Sequence, residues 1–332
     1  MSARIVLLVT SPRLPAGLLT AAAWDLVREH PVLAGAESEL TTAVRAAGAE
    51  ITVVDGPATQ ALLDTVAAHG TAVWLAGPAG DESLARQLGL RLAREPGLAE
   101  MELMYGSWDP PGARLLDAVA VLDRLVSPGG DPWKRAQTHR SLAGFLLEEC
   151  YEAYDAISAG DTDALREELG DVLLQVVLHA RLAEELPEEQ RWNVDDVAGG
   201  LVDKMVRRNP HVFADAEAGT LEEITASWER IKRAEKARDS VLDGIALSQP
   251  ALALAAKILE RAGRIGLAVP PPLAESQVDA EARLGASLLA TVAAAREADL
   301  DPEAALRRTT LAYAEAVRAA ERETPSPDQS RS

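Results

Sequence analysis

Apolar residues follow two rhythms along this chain. Up to about residue 112, short unbroken apolar runs at 5–9, 51–54 and 72–75 are separated by longer stretches of helical period, such as 18–28 and 84–94. Strands alternating with helices predict a parallel sheet, hence a small α/β, Rossmann-like domain over residues 1–112, with 101–105 as a fourth strand. Turn formers follow the runs, as in Asp55-Gly56-Pro57 and Gly77-Pro78-Ala79-Gly80-Asp81. Loops at the carboxyl ends of parallel strands are where such sheets usually bind ligands. Gly77-Pro78-Ala79-Gly80 has neither GxGxxG spacing nor a P-loop ending, so it reads as a turn rather than an anion site. No catalytic set appears in this domain, and its role is unassigned.

Beyond Trp108-Asp109-Pro110-Pro111-Gly112 the period turns helical, first over 113–126 and then, after a rigid Ser127-Pro128-Gly129-Gly130-Asp131-Pro132-Trp133 loop, for most of the remaining length. Thr138 or Ser141 can cap the next helix, whose core face reads as Leu142, Phe145, Leu146, Cys150, Ala153 and Ile157. Ser158-Ala159-Gly160 stops it. Asp161 or Thr162 starts another, with a stripe of Leu165, Leu169, Val172, Val176 and Val177. Helices joined by so short a turn run antiparallel.

Beside those stripes stand Glu148, Glu149 and Glu152 on the first helix and Glu168 and Asp171 on the second. Residues three and four apart share a helix face, and a rise of about 1.5 Å per residue brings the two groups to similar heights. Five carboxylates facing one pocket repel unless a cation lies among them, and hard Mg²⁺ or Mn²⁺ suits an all-oxygen set. A solvated acidic face explains Glu148-Glu149 alone equally well, but it explains the two clusters and their flanking stripes poorly.

Charge sharpens this picture. With 33 basic and 52 acidic residues the net charge is −19, which argues against a general binder of nucleic acid or anionic membrane. Of five lysines, Lys134, Lys204, Lys232 and Lys236 fall in the middle of the chain. Lys204 and Arg208 are four apart on a helix over 197–208, and Trp228 and Lys232 are four apart on one over 221–237. Cations kept near an acidic cluster are what a metal-bound phosphate substrate needs. Salt bridging or surface coating remains the alternative for these cations, and a core position for Trp228. The lone Cys150, on the core side, has no disulfide partner, and no apolar run approaches the ~20 residues that span a bilayer, so the expectation is a cytoplasmic protein. The apolar run at 5–10 is broken by Ser11-Pro12-Arg13 before a signal-peptide core forms. No Glu-x-x-His set of a di-iron bundle is present, and His139, His179 and His211 read as capping, core or surface residues rather than ligands.

Taken in order, Pro132-Trp133, Gln137-Thr138-His139, Leu147-Glu148-Glu149-Cys150-Tyr151-Glu152, Glu167-Glu168-Leu169-Gly170-Asp171, Asp203-Lys204-Met205 with Arg207-Arg208, Pro210-His211-Val212-Phe213 and Trp228-Glu229-Arg230-Ile231-Lys232 resemble the MazG nucleoside triphosphate pyrophosphohydrolases over about 117–270. The resemblance implies an all-α module that hydrolyses nucleoside triphosphates to the monophosphate and pyrophosphate with Mg²⁺, in a role such as cleansing nucleotide pools. It implies metal ligation by Glu148 or Glu149, Glu152, Glu168 and Asp171. Lys204, Arg208 and Lys232 would meet the triphosphate and Trp228 the nucleotide, while Glu149 or Glu148 is expected to orient or deprotonate the attacking water. The family's frequent Cys-Pro-Trp-Asp is Asp131-Pro132-Trp133-Lys134 here, a departure that touches a loop rather than a ligand.

The expected organisation is mainly α: the α/β domain, a catalytic helical module over 113–247, a helical tail over 248–323 and a polar, disordered end at 324–332. A Pro270-Pro271-Pro272 separator lies within the tail. Glu281-Ala282-Arg283-Leu284-Gly285-Ala286 looks like a second module stripped of its acids, with Arg283 where Glu168 stands and Ala286 where Asp171 stands. A homodimer or higher homo-oligomer is expected, since a two-helix hairpin with an acidic pocket has little covering mass. Two other readings stay open: a phosphoribosyl-ATP or deoxypyrimidine-specific pyrophosphohydrolase of the same fold, and a non-catalytic helical regulatory protein.

Overall fold

A computed structural model describes residues 3–77, 80–214, 219–235, 240–267, 269 and 279–323. Pro78 and Ala79, Lys236, Pro270-Pro271-Pro272 and the polar end at 324–332 lie outside the described residues. The chain divides into two compact units, 1–202 and 203–332.

In the first unit β1 (Arg4–Val9), β2 (Val32–Ala34), β3 (Ile51–Val53), β4 (Thr71–Leu75) and β5 (Glu100–Tyr105) form one sheet, ordered β3-β2-β4-β1-β5. All pairings are parallel. Helices α1 (Ala21–Glu29), α2 (Glu39–Ala46), α3 (Ala58–His69) and α4 (Glu82–Arg94) cover both faces. Side chains alternate across a strand. Ile5 and Leu7 therefore pack with Leu62, Leu63, Val66, Leu84 and Leu88 of α3 and α4, while Val6 and Leu8 pack with Ala23, Leu26, Val27 and Val44 of α1 and α2. Burial on both sides is why β1 and β4 read as unbroken apolar runs.

The parallel sheet is as expected, and two of its features were not legible in the sequence. β2 is a fifth strand that the apolar pattern does not show, because three residues are too few for a period, yet Val32, Leu33 and Ala34 are all buried between β3 and β4. The strand order also departs from the Rossmann order 3-2-1-4-5-6, since β4 lies between β2 and β1. After β4, Asp81 Oδ2 accepts from Gly77 N at 3.1 Å and from Trp74 Nε1 at 2.7 Å. A carboxylate already takes the amide an anion would use.

Arg13, in the loop after β1, donates from Nη2 to Asp117 at 2.6 Å and also pairs with Asp109, tying the sheet to α5 (Arg114–Val126). A single turn, α6 (Pro132–Arg135), follows, with Asp131 as its N-cap. α7 (His139–Ala159) opens with a capping box between Thr138 and Ser141 and ends at Gly160, whose left-handed φ of 70° is the conformation a glycine adopts without penalty. Asp161 caps α8 (Thr162–Ala183). The α7–α8 pair is the hairpin expected from the sequence. Leu122 and Val126 of α5 pack against Leu142 of α7 and Val177 and Leu178 of α8, and Asp123 accepts from Arg181 Nε at 2.7 Å.

The core face of this hairpin differs from the one expected. Leu142, Ala153 and Ala156 are buried on α7, and Gln175, Val177, Leu178, Ala180 and Ala183 on α8. Phe145, Ile157, Leu169, Val176 and Cys150 are exposed. The apolar stripe is wider than the contact between the helices, so periodicity identified the face but overstated how much of it one chain covers.

After a short turn at Glu188–Gln190 comes α9 (Val194–Arg208), which ends in the second unit. That unit also holds α10 (Pro210–Phe213), α11 (Leu221–Ala234), α12 (Ala251–Gly263), α13 (Ala280–Glu297) and α14 (Pro302–Glu323). α10 was not anticipated. The last three helices pack together, with Val292 fully buried. Among the described residues no helix is long and apolar enough to cross a membrane.

Candidate functional site

With Leu142, Ala153 and Ala156 of α7 buried, Glu149 and Glu152 come close to Glu168 of α8. One carboxylate oxygen from each of Glu149, Glu152 and Glu168 lies within 4.8 Å of the others, with Glu149 and Glu168 half-buried and Glu152 exposed. The Glu149 carboxyl is raised above its ordinary pKa by burial first, then by the charges of Asp171, Glu152 and Glu148, with a hydrogen bond to Glu152 adding to the effect. Glu168 is raised by burial, then by Glu152, Asp171 and Glu167. Both shifts express one fact: these acids are crowded and incompletely solvated.

Among the described residues no ion pair reaches Glu149, Glu152 or Glu168, and the neighbouring Arg166 pairs instead with Asp163 at 3.3 Å. An all-oxygen donor set with raised proton affinity and no cation partner has the chemistry of a hard-metal site. Three of the five acids singled out in the sequence therefore converge. Asp171 bears on both half-buried members through its charge. Glu148 is exposed and outside the converging trio.

A second group lies wholly within the second unit. Trp228 has the Lys232 Nζ 4.7 Å and the Arg208 Cζ 5.3 Å from its ring centroid, both within cation–π reach. Trp228 is thus half-buried between the cations rather than a core aromatic. Lys204 lies one turn before Arg208 on α9, also half-buried. Glu235, just past the end of α11, holds both Arg207 and Arg208, and its carboxyl is pulled down to about 2, chiefly by hydrogen bonding from Arg208. No sequence reading singled out Glu235. Its spacing, three residues beyond Lys232 and seven beyond Trp228 on one helix face, was the available signal.

The sequence also missed a histidine pair. His139 Nδ1 and His179 Nδ1 are 2.8 Å apart, and their rings are within 4° of parallel. Trp192 lies beside His139. One nitrogen must donate and the other accept, so both rings cannot be charged while the contact persists. The His179 pKa is lowered by burial and then by His139. A histidine held neutral in the folded state contributes stability that is complete above its unfolded pKa of about 6.5 and is lost as pH falls below it. Thermal midpoints measured from pH 7.5 to pH 5 are expected to fall more steeply for the wild type than for His179→Phe; parallel curves would show that the pair carries no such linkage.

A family model described as the MazG nucleotide pyrophosphohydrolase domain matches residues 137–213, which contain all five acids. An uncharacterized 26.1 kDa protein from the blaB 3′ region of Streptomyces cacaoi is 51% identical over 195 residues, 58% of this chain and 78% of that protein. A nucleoside triphosphate pyrophosphohydrolase of Mycolicibacterium smegmatis is 49% identical over 177 residues, 52% of this chain and 53% of its own. One from Escherichia coli K12 is 45% identical over 152 residues, 45% of this chain and 57% of its own. The chain spans about half the length of the relatives that bear this name.

Proposed function

The chain belongs to the MazG family, and on that premise we propose that it is a Mg²⁺-dependent pyrophosphohydrolase, converting nucleoside triphosphates to the monophosphate and pyrophosphate. The observation that carries this reading is the convergence of Glu149, Glu152 and Glu168 within 4.8 Å, uncompensated by any ion pair among the described residues. Glu149, Glu152, Glu168 and Asp171, with Glu148 at the margin, would hold the metal. Bound Mg²⁺ would neutralise phosphate charge and lower the pKa of water.

The protein's own groups supply the rest. Water attacks the α-phosphorus, and a carboxylate of Glu149 or Glu148 accepts its proton. Glu149 belongs to the converging trio, whereas Glu148 is the more accessible. The leaving oxygen stays on pyrophosphate. Lys204, Arg208 and Lys232 bind the triphosphate charge, and Trp228 offers an aromatic face to the nucleotide.

The deciding experiment is a panel of the common NTPs and dNTPs with Mg²⁺, assayed separately for pyrophosphate and orthophosphate. Pyrophosphate release in a one-to-one ratio with monophosphate is the expected result. Orthophosphate as first product, or no turnover of any member, would sink the proposal. The same panel separates a broad enzyme from a deoxypyrimidine-specific one.

A further inference from the structure

A carboxylate lodged among cations meant for phosphate is costly for binding unless it does something there. Glu235 is such a group. Its two oxygens accept from Arg208 Nε at 3.2 and 3.1 Å and from Nη2 at 2.6 Å, and Oε1 also accepts from Arg207 Nε at 2.8 Å. Arg208 and Glu235 are only 14% and 13% exposed, whereas Arg207 is 54% exposed. The Arg208 bond is therefore the sheltered one, and Arg207 screens it from the outside.

Bonding through both Nε and Nη2 constrains the guanidinium plane as well as its position. The Arg208 Cζ also lies 5.3 Å from the Trp228 centroid, so the guanidinium is held within cation–π reach of the ring at the same time. Trp228, Lys232 and Glu235 are spaced four and three residues apart, which aligns the C-cap Glu235 with the face of α11 that carries Trp228 and Lys232. The backbone N–H of Glu235 bonds to Ile231 O at 3.1 Å, which keeps it in register with that helix.

We propose that Glu235 is a positioning residue for nucleotide binding: it clamps Arg208 beside Trp228, so that the guanidinium and the ring meet the substrate in one fixed arrangement. Without the carboxylate, the guanidinium loses the bonds that fix its plane, and more of its ordering falls to substrate binding, which weakens that binding. The proposal rests on the reading above, in which Arg208 and Trp228 contact the nucleotide. It adds that this contact is set by a residue that touches no substrate.

The test is steady-state kinetics of wild type, Glu235→Gln and Glu235→Asp with Mg²⁺ and a nucleoside triphosphate that the wild type hydrolyses. Glu235→Gln keeps the shape but loses the charge, and its KM is expected to rise about tenfold with kcat within about twofold, the pattern of lost uniform binding. Glu235→Asp keeps the charge on a shorter arm and should recover part of the loss. A purely structural role would instead lower kcat with the fraction of folded enzyme, leave KM alone and depress the thermal midpoint. That outcome, or failure of both variants to fold, overturns the proposal in favour of a structural salt bridge. A lower KM in Glu235→Gln also overturns it, since the carboxylate would then be competing with phosphate. An inactive wild type refutes the pyrophosphohydrolase reading itself, and this proposal with it. An active wild type with an unaltered Glu235→Gln refutes only the role of Glu235.

Discussion

Glu168→Ala and Asp171→Ala each reduce pyrophosphate release by about a thousandfold or more, and neither lowers the thermal midpoint of the metal-free protein. The first half follows from the charge of a metal-bound triphosphate, which a site stripped of one carboxylate holds poorly, and loss of a metal's electrostatic contribution costs several kcal/mol of barrier. The second half distinguishes a functional acid from a structural one. Burial and the charges of Glu152, Asp171 and Glu167 push the Glu168 carboxyl up, so its ionised form is an electrostatic burden on the metal-free fold, and removing it relieves the neighbours. A structural acid would behave in the opposite way, since losing an ion-paired carboxylate strands its partner. Activity above about a tenth of wild type in either variant would remove that acid from the site. A marked fall in midpoint would favour the non-catalytic regulatory reading.

Metal removal is the second large effect. EDTA is expected to abolish turnover, and Mg²⁺ or Mn²⁺ to restore it. Because a preformed acid cluster exists only in the folded state, metal at about a hundredfold excess over its Kd raises the thermal midpoint by about 5 °C. Glu168→Ala should show little of that rise. Full activity in EDTA, or equal thermal shifts in wild type and Glu168→Ala, would place the metal elsewhere or dispense with it.

Much of the site was legible because its acids are local to two helices. Glu149 and Glu152 are three residues apart, and Thr138, Gly160 and Asp161 mark where the helices start and stop. A helix carries its own period, so residue spacing alone predicted which side chains share a face. Spacing did not predict the roll of α7 against α8. In the roll observed, Leu142 packs on Val177 and Leu178 and Ala153 and Ala156 are buried, so Glu149 rather than Glu148 joins the converging trio while Phe145, Cys150 and Ile157 stay exposed. His139 and His179 lie forty residues apart and meet only because the hairpin closes. Arg208 and Glu235 meet only where the end of α9 reaches the end of α11.

The same division runs through the sheet. Unbroken apolar runs located β1 and β4, because a strand buried on both faces must be apolar throughout; the shorter β3 and the largely exposed β5 were found from turn formers and β-rich composition. The three residues of β2 and its place between β3 and β4 came only with the fold. By itself the sequence determined most of the elements and where the acids and cations lie along them. Tertiary structure alone decided strand order, helix roll and the pairs His139–His179 and Arg208–Glu235, because these depend on contacts between distant segments, whose free energies no local period encodes.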